Sequence, residues 1–429
     1  MGNHMKFNHF RNLRATALML ACLVALHPIT VATAAPKKKN KPKKGAAQAK
    51  VDDAKPLTEA RTGQFKASFT EASKLASIRS VLGRTLSPQQ KQQVGAKLGS
   101  KVLGSDTYAY DVRKEGWDIY VPNNYDSSVP YGLICYINSD NTSGLNKAWL
   151  PVLKKHRLIF ACALNAGNTQ DTLLRRIPLA VEAVHNLSKI YAIDKARIYI
   201  SGGSGGGRAS CIAMIGFSDV FTGGFPHVGT HCYKNIPAPK GGFYPAGISI
   251  TSRSRFTQAR QQNRYVFYTA AKDFNRKQTK DTYNIFRGDG FNCTYLEDPK
   301  GGHGKPNAAY FEKGIVALDA PLKAAARKQY DQAKSSEKRK AWGQAIESYR
   351  AAHAHGGDES FAQDAKQRHD ALRAEYDKQV RAIRGAIDGR DFKTAMTRIA
   401  RLRSSHRTMA RDDITSLNAA MSKKRAEKK

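Results

Sequence analysis

With 429 residues, 71 Lys and Arg against 35 Asp and Glu, and a formal net charge of +36, the chain is too long for one small module and too basic to be indifferent to polyanions. Acidic polysaccharide, anionic lipid headgroups and nucleic acid are all attracted by such charge, and charge alone does not choose among them.

Residues 1–34 read as a secretory signal. Lys6, Arg11 and Arg14 give a positive start, an apolar run follows over 15–26, and Ala32-Thr33-Ala34 supplies a small-residue cleavage site. The apolar run is shorter than the about 20 residues a membrane span needs, so no transmembrane span is expected after cleavage. The expected location is secreted, periplasmic or cell-surface. Cys22 leaves with the signal. The remaining Cys135, Cys162, Cys211, Cys232 and Cys293 are odd in number, so at least one thiol stays unpaired within the chain, and their spacing suggests no metal ligands. Residues 35–56 are Lys, Pro, Ala and Gln with little to bury, a basic linker expected to be disordered.

Residues 57–105 read as an N-terminal helical segment. Phe65, Phe69, Leu75, Ile78 and Leu82 recur near a 3.6-residue period, and Ser87-Pro88-Gln89-Gln90 reads as a helix start with a capping box. Over 106–322 short β-rich runs alternate with helical stretches. The runs are WDIYV (117–121), YGLICYI (131–137), RLIFACA (157–163), RIYIS (197–201), YVFYTA (265–270) and NCTYLE from 292; helix-like segments lie near 171–191, 205–215, 277–287 and 306–318. Several runs are apolar on both faces, as strands covered on both sides must be. The alternation predicts an α/β domain with a mainly parallel sheet, whose ligands sit at the carboxyl ends of the strands. Over 323–429 the β signal disappears and a basic all-α region is expected. Trp342, Ala345, Ile346 and Tyr349 share their spacing with Phe392, Ala395, Met396 and Ile399. AWGQAIESYRAA resembles a tetratricopeptide-like helix, and helical hairpins packed as a small bundle or repeat are the broader expectation.

The strongest chemical signal is RIYISGGSGGGRAS, in which a strand ends at Ser201 and Gly202-Gly203-Ser204-Gly205-Gly206 follows as G-x-S-x-G before a helix-like segment. Strand, tight turn and helix form the setting of a nucleophile elbow, which exposes the serine hydroxyl on a strained backbone. The helix start offers N–H groups, that of Gly205 first, to a developing oxyanion. A phosphate loop is the rival reading, but Arg208-Ala209 stands where Lys-Ser/Thr is needed. A serine hydroxyl needs a base to take its proton and a carboxylate to hold the base, in the order Ser, Asp or Glu, His. Asp273 follows YVFYTAAK just past a strand end, and His303 lies in the Gly-rich loop PKGGHGKP after NCTYLE. Asp289, in a GDG turn, and Asp298, five positions before His303, are the weaker acids.

From Trp117 to Leu322 the chain resembles the esterase and polyhydroxybutyrate-depolymerase-like branch of the α/β-hydrolases, which includes feruloyl and acetylxylan esterases. WDIYVPNNY looks like that group's opening strand, YAIDKARIYISGGSGGG like its elbow segment, TAAKDFNR like its acid loop and PKGGHGKP like its His loop. The resemblance implies an α/β-hydrolase fold, a catalytic triad of Ser204, Asp273 and His303, and ester hydrolysis through an acyl-enzyme with no cofactor and no metal. One departure stands out. Where the group carries His-Gly after its third strand, this chain reads Tyr136-Ile137-Asn138-Ser139-Asp140, so the second oxyanion donor is expected from the backbone near Ser139, beside an acidic neighbour.

The segment FPHVGTHCYKNIP holds His227, His231 and Cys232 and is expected to be a loop walling the substrate pocket rather than a zinc site; Tyr233, Phe243 and Tyr244 would offer an aromatic surface. The expected partners are a polymer-linked, polysaccharide-linked or aryl ester, and polyanions at the basic flanks, with no specific nucleic acid. Two other functions share these residues: a serine peptidase of the prolyl-oligopeptidase type, though no β-propeller repeat precedes the hydrolase region, and a hydrolase-like scaffold that binds polyanions.

Overall fold

A computed structural model describes residues 54–427 except 239, 240 and 358; the signal and most of the basic linker lie outside the described residues. The chain divides into two compact units, one ending at Leu318 and the other beginning at Asp319.

The first unit is built on a nine-stranded sheet. Its strands are β1 (Lys55–Pro56), β2 (Gly63–Ser68), β3 (Trp117–Val121), β4 (Tyr131–Ile137), β5 (Leu158–Ala163), β6 (Ile193–Gly203), β7 (Gly223–His227), β10 (Arg264–Ala270) and β11 (Asn292–Asp298), in the spatial order β1-β2-β3-β5-β4-β6-β7-β10-β11; β8 (Ile236–Pro237) and β9 (Phe243–Tyr244) pair separately. β3 runs antiparallel to β2 and β5, and every other neighbouring pair is parallel. β4 and β5 bury every residue, as central strands under helices must. The helices are α1 (Ile78–Thr85), α2 (Pro88–Leu98), α3 (Ser100–Leu103), α4 (Leu150–Lys155), α5 (Ile177–Ile190), α6 (Gly205–Gly216), α7 (Arg253–Gln261) and α8 (Arg276–Gly288). This mostly parallel sheet with flanking helices is an α/β-hydrolase fold. The parallel strands end on one side, which gathers the loops after β4, β5, β6, β10 and β11 into one region.

Three expectations about local structure are corrected. Within the helical pattern expected from Leu57, Gly63–Ser68 form a strand instead, and Lys55–Pro56, the end of the expected disordered linker, pair with Ala67–Ser68. Over so short a run Phe65 and Ala67 fit a two-residue period as well as a helical one, and pairing of Phe65 with Ile119 and Ala67 with Trp117 decides the matter. A 3-10 turn at Lys74–Ala76 leads into the first α-helix at Ile78, and the capping box at Ser87 and Gln90 is formed. The segment expected to be a loop at FPHVGTH starts as strand β7, which a Pro and two Gly had masked in the sequence.

The chain passes into the second unit within α9 (Ala308–Lys338), which runs through Pro321 and across the expected boundary at 322. α10 (Trp342–Gly356), α11 (Ser360–Asp388), α12 (Phe392–His406) and α13 (Arg411–Ala426) complete an all-helical unit. Ala345, Ile346 and Tyr349 are buried as their spacing implies, and so are Ala395 and Ile399, but Met396 is exposed. Buried tyrosines tie helices to acids: Tyr349 donates to Glu337 at 2.6 Å and Tyr376 to Asp413 at 2.5 Å.

Candidate active site

Ser204 caps the turn between β6 and α6 with φ 52° and ψ −115°, in the sparsely populated region that a nucleophile elbow requires of a non-glycine residue. The turn is tight because glycine surrounds it. A β-carbon on Gly202 would lie 2.6 Å from the Ile137 carbonyl oxygen, and one on Gly206 would lie 2.8 Å from its carbon. Only hydrogen at these positions lets α6 start so close to β4. The Ser204 N–H donates to the His227 carbonyl at 2.8 Å, which pins the elbow to β7.

The Ser204 Oγ lies 3.0 Å from His303 Nε2, and His303 Nδ1 lies 2.7 Å from Asp273 Oδ1. The Asp273 side chain is fully buried, and it accepts two further hydrogen bonds, from Thr269 Oγ1 at 2.6 Å and from the Asn275 N–H at 3.0 Å. A carboxylate so held points one oxygen at the imidazole, which fixes the tautomer whose Nε2 accepts from serine. The structure therefore brings Ser204, His303 and Asp273 into one hydrogen-bonded line. The weaker acids are elsewhere: Asp289 is held by Tyr233 and Lys234, and Asp298 accepts from the Lys300 N–H, shaping the His303 loop.

Behind Asp273 stand groups that the sequence reading did not single out. Asn275 donates its side-chain amide to the Val228 carbonyl at 2.7 Å, and Arg208, one turn after Ser204, donates to Asn275 Oδ1 at 3.3 Å, Gln278 Oε1 at 2.8 Å and the Thr230 carbonyl at 3.2 Å. The spacing of Asn275 from Asp273, and of Arg208 from Ser204, was the available signal. Phe274 is 77% exposed and stacks on the His303 ring at 4.0 Å, an aromatic surface beside the base.

Gly205 follows the nucleophile as the first residue of α6. The first N–H groups of a helix have no partner within it, and the Ser204 side chain does not cap this one. Ser139 also reaches the elbow, but through its hydroxyl, which donates to the Gly203 carbonyl at 2.5 Å. Its N–H, the expected second oxyanion donor, donates instead to Asn138 Oδ1 at 3.0 Å. An amide side chain at position 138 folds back onto the next N–H, a local competition that His-Gly would not offer.

His227, His231 and Cys232 do not form a ligand cluster, and among the described residues no three His, Cys, Asp or Glu stand close enough to hold a metal. His227 is fully buried amid the rings of Phe225, Tyr136, Trp149 and Tyr268, and burial pushes it down to about 3; burial, then Arg208, pushes His231 down to about 4. Both are neutral at physiological pH. The expected aromatic surface is corrected in part: Tyr233 packs against Phe256, Phe286 and Phe291, while Phe243 is exposed and Tyr244 half-buried. All five remaining cysteines are free.

No protein-family profile and no curated protein matches the sequence. Solved structures do resemble it. A putative dipeptidyl aminopeptidase IV from Bacteroides ovatus is 15% identical over 48% of this chain and 33% of its own, with a TM-score of 0.35. A thermostable esterase is 15% identical over 48% of this chain and 58% of its own, with a TM-score of 0.34. The S-formylglutathione hydrolase from Staphylococcus aureus is 12% identical over 47% of this chain and 89% of its own, with a TM-score of 0.36. The chain thus spans a third of the first of these proteins and under two thirds of the second. At such values the chemistry of the site rests on its own geometry.

Proposed function

We propose that the chain is an exported serine hydrolase, a carboxylesterase that cleaves polymer-linked, aryl or acyl esters through an acyl-enzyme. The line Ser204–His303–Asp273, at 3.0 and 2.7 Å, is the observation that carries this reading. His303 takes the Ser204 proton as Oγ adds to the ester carbonyl, and returns it to the departing alcohol; the same imidazole then activates the water that releases the acid. Asp273 holds the ring and stabilises the imidazolium. Phe274 beside the base favours an aryl or apolar group near the scissile bond. Among the described residues no helix is long and apolar enough to cross a membrane, and the signal read at residues 1–34 supports export. In the helical unit, α10 and α11 share a core of Ala345, Tyr349, Ala352 and Ala365, which favours a tetratricopeptide-like hairpin. The basic flanks are read as a polyanion-binding surface that keeps the enzyme near an acidic polymer.

The test is covalent. A fluorophosphonate probe is expected to label Ser204, and Ser204→Ala to abolish both labelling and p-nitrophenyl acetate turnover. Labelling at another residue, or none on folded protein, would remove the reading. Retention on heparin is expected to fall steeply as salt rises, since screening shortens to about 8 Å at physiological ionic strength.

A further inference from the structure

The turn that should complete the oxyanion hole has its N–H engaged, because Ser139 donates to Asn138 Oδ1. A neighbouring group stands beside the other expected donor, Gly205. Asn168, in the loop after β5, lies against Gly205: a β-carbon built there would collide with the Asn168 amide oxygen and lie 2.7 Å from its Cγ and 3.0 Å from its Nδ2. The amide fills the place that a side chain after the nucleophile would occupy, which is why residue 205 is glycine. Asn168 is exposed, on the same open face as half-exposed Ser204 and Gly205, and its side chain has no hydrogen bond within the protein among the described residues.

Its backbone, by contrast, is held firmly. The Asn168 N–H donates to the Ser139 carbonyl at 2.8 Å, and the Gly167 N–H to Asn141 Oδ1 at 3.0 Å. Buried Arg176 then ties the two loops together, donating to the Ala166 carbonyl at 3.0 Å and to the Asn138 carbonyl at 3.1 Å. An amide side chain with free hydrogens, on a pinned backbone, beside the first N–H of the elbow helix, is within reach of the oxygen that this N–H would meet. A half-turn about its terminal torsion exchanges the two ends of the amide, so the NH2 end can be turned toward Gly205.

We propose that the Asn168 side-chain amide is the second oxyanion donor of this site, beside the Gly205 N–H; the proposal rests on the serine-hydrolase reading above. As Ser204 Oγ bonds to the ester carbon and its proton passes to His303 Nε2, the carbonyl π pair moves onto oxygen. That oxygen accepts from Gly205 N–H and Asn168 Nδ2–H. When the tetrahedral adduct collapses, the pair returns, the alkoxide leaves with the proton from His303, and both donors are released.

The experiment compares the full chain with Asn168→Ala and Asn168→Asp on p-nitrophenyl acetate, alongside inhibition by a trifluoromethyl ketone, whose adduct carries the same oxyanion. Asn168→Ala is expected to lower kcat about 100-fold to 1000-fold with KM little changed, and to weaken the ketone by a similar factor. Asn168→Asp, equal in size but unable to donate when ionised, is expected to lose at least as much, and it reads the effect even if the alanine variant folds poorly. Gly205→Ala displaces the amide, so it should cost far less in the Asn168→Ala background than in the unchanged chain. An unchanged kcat, a loss confined to KM, or full additivity of the two substitutions would overturn the assignment while leaving the triad intact. Inactive and unlabelled wild-type protein would instead overturn the hydrolase reading itself.

Discussion

β4 and β5 bury all of their residues, whereas α11, 29 residues long, buries only Ala362, Ala365, Tyr376, Ile383 and Ile387. The sheet unit is held by continuous burial on both faces, so its interior tolerates little change and its loops inherit fixed positions. The helical unit is held by a few anchors along each helix, with charged faces turned to water. A site that needs a 2.7 Å hydrogen bond between residues 30 positions apart is found where the scaffold is continuous. The sparse helices are free to vary everywhere except at their anchors.

The largest effect expected from this contrast is on the sheet unit's chemistry. Asp273→Asn keeps the shape but presents the wrong partner to His303, and kcat/KM is expected to fall by about four orders of magnitude. Asp298→Asn, whose partner is one loop N–H, is expected to stay within about tenfold. A crippled Asp298→Asn beside a near-normal Asp273→Asn would show the acid to be misassigned.

Next comes an anchor of the helical unit. Ile383→Ala removes a buried side chain and is expected to cost about 2–5 kcal/mol in that unit's stability, seen in thermal unfolding by circular dichroism. Turnover per folded molecule should be unchanged. A parallel loss of turnover would break the comparison, because it would mean that the anchors of one unit support the chemistry of the other.

A pH dependence belongs to the sheet unit. Glu182 is fully buried on α5, accepting from the Ser73 N–H at 2.7 Å and the Tyr110 hydroxyl at 3.0 Å, and burial pushes its carboxyl up to about 7. The folded chain therefore holds this proton more tightly than the unfolded chain. Its contribution is fully present below the unfolded value near 4.5 and is lost as pH rises through about 7. Between pH 5 and pH 8 the stability of Glu182→Gln relative to wild type should improve, by at most roughly 3 kcal/mol. Parallel stability curves for the two proteins across that range would contradict this account.

The smallest effect is on a helical anchor's polar end. Tyr376→Phe loses one hydrogen bond to Asp413 and is expected to cost about 1 kcal/mol in chemical denaturation. A loss as large as that of Ile383→Ala would mean that the polar ties, not the apolar ones, hold these helices.

Six sheet strands were legible because their side chains alternate or run apolar without a break, and the elbow because G-x-S-x-G stands between strand and helix signals. β7 was not legible: in GGFPH two glycines and a proline outweigh one phenylalanine, and the strand forms because β6 and β10 pair with it on either side. β2 was misread because two aromatic residues four apart satisfy a helix until β3 supplies a partner. Within the site, chain order and loop position singled out Asp273 and His303, which follow strand ends. Asn168 and Thr269 could not be found that way. An asparagine in a loop and a threonine in a strand are ordinary until the fold sets one against Gly205 and the other on the Asp273 carboxylate.

The five free thiols change how such a chain must live. Cys135, Cys162, Cys211 and Cys232 are buried and Cys293 is half-buried, and burial pushes Cys162 and Cys211 up to about 12, so in the folded molecule almost none is the thiolate that oxidants attack. During folding, before the sheet closes, the same sulfurs are ordinary thiols able to pair wrongly. In an oxidising compartment the hazard would then be one of timing, because burial shields these sulfurs once the sheet has formed.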